Sequence, residues 1–239
     1  MHALDAGQLN RLLRDLELTA AVAMRRAAPQ AEQHLWLLMR LNETDVGTDA
    51  VFQQRLGRHI GLRGKLRARK QDLFALLQDL KSLERPGFDD LLLQVSELTG
   101  QIEKSVASSL LSLLDPEQPA IDRDLRELLP RYGMPPLAEA PLFDECVAWH
   151  RRLRDVFAQV IDSARWAAIS GRLDSGLPVA SGAVLTEVRK LNLHLSHARR
   201  VVALMPTLEL VGASRQRLAV PVPRREQTVQ ATVRLHLCR

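Results

Sequence analysis

The sequence predicts a mainly α-helical protein: a multi-helix body ending in a short C-terminal antiparallel β-ribbon. Three observations predict it. Apolar residues recur at three- and four-residue steps through most of the 239 positions. Hydrophobic residues make up 46% and charged residues 26%, which excludes wholesale disorder and allows a packed core. Beyond residue 228 the apolar period changes to two.

Residues 4–25 carry Leu9, Leu12, Leu13, Leu16 and Ala20 on one helical stripe. Pro29 is expected to break that run, and residues 30–42 read as a second, short, buried helix. The stretch NETDVGTD has loop composition. Residues 50–84 read as helical with a break, because Gly57, Gly61 and Gly64 fall close together and each costs about 1 kcal/mol of helix stability relative to Ala. Pro86-Gly87 is a turn. Residues 88–114 read as one amphipathic helix through Leu91, Val95, Leu98, Ile102, Val106, Leu110 and Leu113. Asp115-Pro116 and Pro119 end it, and a short helix follows near 121–130, then the connector YGMPPLAEAP.

Residues 143–168 form a further helix with Trp149, Leu153, Val156, Val160 and Ala164 on one face, and RLDSGLPVASG is expected to be a loop. Residues 183–205 alternate four- and three-residue steps through Val184, Val188, Leu191, Leu195, Ala198, Val202 and Met205, a helix-packing seam closed by Pro206. In TVQATVRLHLCR, Val229, Ala231, Val233, Leu235 and Leu237 alternate with polar residues, the pattern of a strand buried on one face. RQRLAVPV reads as its partner, confined to an edge by Pro221 and Pro223. The expected organisation is an N-terminal helical region, 1–140, containing a basic segment at 55–70, and a helical pair with the ribbon, 141–239; a single domain is also compatible with this length.

Several classes are excluded. No apolar run approaches the ~20 residues of a membrane-spanning helix. MHALDAGQLN lacks a basic region followed by an apolar stretch, so no secretory signal is expected. Two cysteines, Cys146 and Cys238, form no disulfide framework, which makes a reducing cytoplasm the expected compartment. GxxxxGK[ST], GxSxG and a strand-borne GxGxxG are absent, so nucleotide and hydrolase templates fail.

Charge is more informative. The net charge is +5, yet residues 1–71 carry net +5, residues 72–145 net −9 and residues 146–239 net +9. Basic ends around an acidic middle either focus a positive field that suits a polyanion or pack against the middle and cancel. Arg55, Arg58, Arg63, Lys65, Arg67, Arg69 and Lys70 cluster around His59 with no acid before Asp72. They suit a phosphate-contacting element whose glycines admit close backbone approach; the alternative is a solvated face paired with the acidic segment. The ribbon adds Arg215, Arg217, Arg224, Arg225, Gln230 and Arg234, residue types that read base edges in a major groove. Arg189, Arg199 and Arg200 occupy one flank of the 183–205 seam. His194 and His197, with Glu187, invite a metal reading, but no further ligand is in sight, and they read as partly exposed histidines beside the seam. Asp122 and Asp124 sit at a helix start and read as caps; Cys146 reads as core. Phe, Trp and Tyr total nine, none beyond Trp166, so the ribbon lacks stacking platforms and duplex DNA is favoured over single strands.

The run REQTVQATVRLHL resembles an interdomain DNA-contacting strand of bacterial replication-terminus-binding proteins, the Tus family, and LNRLLRDLE resembles that family's first helix. The two runs cover a small part of the chain, and the family's chain continues past that strand whereas this sequence stops at Arg239. The resemblance implies a helical protein with strands that clasp duplex DNA, with Gln230 and Arg234 facing the groove.

The expected function is therefore non-enzymatic binding of duplex DNA through Arg-rich segments. The alternative is a helical adaptor or subunit of a larger, even nucleoprotein, complex, with a protein partner on the Val184–Met205 seam or the C-terminal strand. No membrane partner, metal or cofactor is expected.

Overall fold

Asp5 opens the first helix, α1 (Ala6–Glu43), with its carboxylate on the backbone N–H of Gln8 and the Gln8 side chain returning to its own N–H, a reciprocal cap. The computed structural model describes residues 3–82, 86–176 and 185–202, which all lie in one unit, Met1–Ala203; a second unit, Leu204–Arg239, contains none of them. The predicted ribbon and the residues Arg215, Arg217, Arg224, Arg225, Gln230 and Arg234 therefore lie outside the described residues. All regular structure among the described residues is helical.

The break expected at Pro29 does not occur: α1 runs unbroken from Ala6 to Glu43. Pro29 and Arg25 are both on the exposed face. The carbonyl of Arg25, which loses its i+4 donor, is on the side where water can replace it. The opposite face carries the buried Leu12, Leu16, Ala20, Ala23, Ala27, Ala31, Leu37 and Leu41. Its small side chains admit close approach of a partner helix.

Helix α2 (Ala50–His59) starts on Asp49, which accepts from the N–H groups of Val51 and Phe52 and from Arg40 Nε at 2.6 Å. The predicted break follows. Gly61 and Gly64 adopt φ +64° and +50°, left-handed values that side chains other than glycine rarely take, and they separate α2 from α3 (Gly64–Ala68) and α4 (Lys70–Lys81).

The single helix expected over 88–114 is two: α5 (Phe88–Thr99) and α6 (Lys104–Leu114). Gly100 at φ +66° ends α5 in the left-handed conformation, and the chain turns back so that α5 and α6 pack together. Asp122 starts α7 (Arg123–Leu128), which runs into a 3-10 turn (Leu129–Tyr132). Position 140/141 lies within the first unit, in the connector before α8 (Phe143–Ile161). The expected helix over 143–168 is also divided, at Asp162–Ser163, and α9 (Ala164–Gly176) carries helix into the predicted loop.

The last described helix, α10 (Glu187–Val202), packs along α1 and also against α7, α8 and α9. Leu191, Leu195 and Ala198 of the predicted seam are at most 1% exposed. The described part of the seam is filled from within the chain. It is not a free docking face for a partner, because α1 already occupies it. Asn192 Oδ1 accepts from the Ala120 N–H at 2.6 Å and Ser108 Oγ from the Ile121 N–H at 2.7 Å, which ties the 115–122 loop to α10 and α6.

Candidate functional site

The basic run forms an exposed strip over the end of α2, the glycine turn and α3. Arg55, Arg58, Arg63, Lys65, Arg67 and Arg69 are exposed and Lys70 is half-buried. Arg69 pairs with Asp72 at 3.2 Å, a solvated contact worth at most about 1 kcal/mol. Among the described residues none of the others forms an ion pair with the acidic middle. Arg55 lies over the Trp36 ring at 4.1 Å from its centroid, and Lys70 over Phe74 at 5.6 Å. The Lys65 ammonium comes to 3.9 Å from where a side-chain carbon on Gly100 would sit, so the strip reaches the α5–α6 hairpin.

Two predicted phosphate contacts on α10 need correction. Arg199 is held by Asp124 at 2.6 Å and by Glu127, and so is neutralised by the acidic middle. Arg189 is 7% exposed and turns inward. Neither offers its guanidinium to a surface phosphate. The side chain of Arg200 lies outside the described residues. The histidine reading also changes: His194 is buried, not partly exposed, and its Nε2 lies 3.1 Å from Thr19 Oγ1. His197 contacts Gln30, and Glu187 accepts from Trp166 Nε1 and Lys190. No metal-ligand cluster forms among the described residues. Asp122 caps α7 through the Leu125 N–H, as expected, and Cys146 is fully buried. No helix among the described residues is long and apolar enough to cross a membrane.

The structure adds a site that the sequence does not announce. The last third of α1 places Glu32, Leu35, Trp36 and Met39 at helical spacing along one side of a cavity of about 540 Å³. Pro116, Leu185, Thr186 and Arg189 close the other side, where Thr186 Oγ1 donates to the Pro116 carbonyl at 2.9 Å. His34 lines it with 0% exposure, and neither ring nitrogen has a hydrogen-bond partner among the described residues; Arg189 Nε is likewise unpartnered. Burial, reinforced by the nearby Arg189 charge, holds His34 well below the usual histidine range. His59 stands 6.4 Å from His34, and the same causes lower it to about 4. Burial also lowers Arg189 to about 10 and raises Asp122 to about 6, with Ser196 and the Leu125 N–H pulling Asp122 the other way. Such a cavity, apolar with a few convergent polar groups, has the form of a small-molecule site. Its signal in the sequence is weak: one histidine inside an apolar run, whose arginine partner arrives far along the chain.

A second cavity, of about 560 Å³, lies at the α5–α6 hairpin and is lined by Gly100–Ser105, Arg126 and Glu139. Its cations are paired with Glu139: Lys104 Nζ donates to the Glu139 carbonyl at 2.6 Å and Arg126 pairs with the Glu139 carboxylate at 3.1 Å, although the buried Arg126 Nε has no hydrogen-bond partner among the described residues. Compared with known proteins, the chain matches no family model, no curated protein and no solved structure.

Proposed function

We propose that the protein is a non-enzymatic duplex DNA-binding protein that grips the phosphate backbone with the strip at 55–70. One observation carries this reading: Arg58, Arg63, Lys65 and Arg67 stand exposed and without carboxylate partners among the described residues, in a chain whose acidic middle is close enough to neutralise Arg199. Cations left unpaired on one segment raise the local potential, and binding a polyanion releases its condensed counterions. The glycine turn lets backbone approach the strands, and the nearby hairpin at Gly100 extends the contact surface.

The test is fluorescence anisotropy with labelled duplex, single-stranded DNA and RNA at several salt concentrations. Duplex is expected to bind tightest, with a log–log salt slope near −5 for about six phosphate contacts. Replacing Arg58, Arg63, Lys65 and Arg67 together by Gln is expected to flatten that slope by roughly 3–4. Salt-independent binding, no binding at low salt, or an unchanged slope in the variant would reject the reading.

A further inference from the structure

We propose that the cavity between the end of α1 and the start of α10 binds a small monocarboxylate with an apolar or aromatic body. The carboxylate meets Arg189 and His34, and the body lies along Leu35, Trp36 and Met39. This site adjoins the DNA-binding strip, since Arg55 lies over Trp36 and His59 stands 6.4 Å from His34, but it draws on other residues and its test does not depend on that reading.

Three features select this class. First, polar groups nine-tenths buried or more have no hydrogen-bond partner among the described residues at one place: both nitrogens of His34 and the Nε of Arg189. Buried polar atoms without partners are rare in folded proteins, and a carboxylate can accept from the donors among them, the Arg189 Nε–H and the one N–H of the neutral imidazole. Second, Arg189 forms no ion pair among the described residues. The Asp122 charge acts on it, but Asp122 is half-buried and already accepts from Ser196 and the Leu125 N–H. A guanidinium presents a planar fork that matches a carboxylate, and a neutral imidazole adds one N–H without adding charge. Third, the walls limit the ligand. One side of the cavity is apolar and carries an indole, which suits a hydrocarbon or aromatic body, while the exposed Glu32 on the lining opposes each negative charge the ligand brings, so a ligand with two is penalised more than a ligand with one. Dicarboxylates and phosphate esters are therefore disfavoured, and the DNA backbone is not the ligand of this cavity.

The experiment is isothermal titration calorimetry on the full chain with phenylacetate, octanoate and, as the uncharged control, phenylacetamide. At least one of the two acids is expected to bind with a Kd below about 1 mM, and phenylacetamide roughly tenfold more weakly or worse. Arg189→Gln is expected to abolish binding of the acid. Because that buried change can disturb folding, Met39→Glu provides a second variant: Met39 is 62% exposed, so the fold tolerates the change, while the new carboxylate lies beside the ligand and weakens it roughly tenfold. The proposal is overturned if neither acid binds at millimolar concentration, if the amide binds as well as the acids, or if a folded Met39→Glu protein binds the acid unchanged.

Discussion

His194 Nε2 lies 3.1 Å from Thr19 Oγ1, inside the contact between α10 and α1. Thr19 gives its own proton to the Asp15 carbonyl at 2.8 Å, so the threonine oxygen accepts from the His194 Nε2–H. The imidazole is thereby fixed in one tautomer, and its buried Nδ1 has no partner among the described residues. A polar link of this kind, set among fully buried leucines, marks the seam as part of the core.

Leu195→Ala is therefore expected to destabilise the isolated protein by about 2–5 kcal/mol, read from urea unfolding. Leu195 is 0% exposed, so the substitution leaves a cavity between α1 and α10. An unchanged urea midpoint would mean that this face is not packed from within.

Gly100→Ala is expected to cost about 1 kcal/mol or more of stability. The cause is conformation and not crowding, because only the Lys65 ammonium lies within 4 Å of the new carbon, while φ is +66°. Denaturant unfolding of the variant checks it; a gain in stability would show that α5 and α6 do not turn at this residue.

Pro29→Ala is expected to act in the opposite direction, stabilising the protein by about 1–3 kcal/mol. Pro29 sits within α1 on its exposed face, where it leaves out one backbone hydrogen bond, and alanine restores the N–H that the Arg25 carbonyl lacks. A lower melting temperature in the variant would contradict the continuity of this helix.

The fold is expected to lose stability on acidification from pH 7 to pH 5. Burial lowers His59, His150 and His194 to about 4, with the Arg189 charge adding to the effect at His59, whereas the unfolded chain protonates near 6.5. The unfolded state takes up more protons as pH falls through 6.5, so each of these histidines removes about 2 kcal/mol by pH 5. Asp122 works against them. Its folded value of about 6 lies above its ordinary 3.8, so protonation on the way down returns about 1 kcal/mol to the folded state. Urea midpoints at the two pH values should fall on acidification. His150→Gln should shrink the drop and Asp122→Asn should enlarge it; a midpoint that rises at pH 5 would refute the sign.

Periodicity revealed the helical class but misplaced several boundaries, for identifiable reasons. The apolar steps from Leu91 to Leu113 pass through Gly100 without losing register, so spacing alone describes one helix where a left-handed glycine makes two. Proline chemistry predicts a break at Pro29, and the cost is absorbed because that residue faces water on a helix held along its other side. The three-glycine break was legible, since Gly61 and Gly64 need the backbone freedom that their residue type provides. The exposed cations at 55–70 were also legible, because a run without acids has no local partner. The fate of Arg189 and Arg199 was not: whether an arginine faces solvent, a carboxylate or a cavity depends on which distant helix packs beside it.

The pairing of α1 with α10 also sets the timing of folding. The first helix ends at Glu43 and the helix that covers it begins at Glu187. At about 5–20 residues per second on the ribosome, α1 waits roughly 7–30 s for its cover. Throughout that interval the part of its leucine and alanine stripe that faces α10 lacks its cover, although α2, α6, α8 and α9 have already emerged. Assembly of this chain is therefore a late, long-range event, and the growing polypeptide is most prone to aggregation before its last described helix emerges.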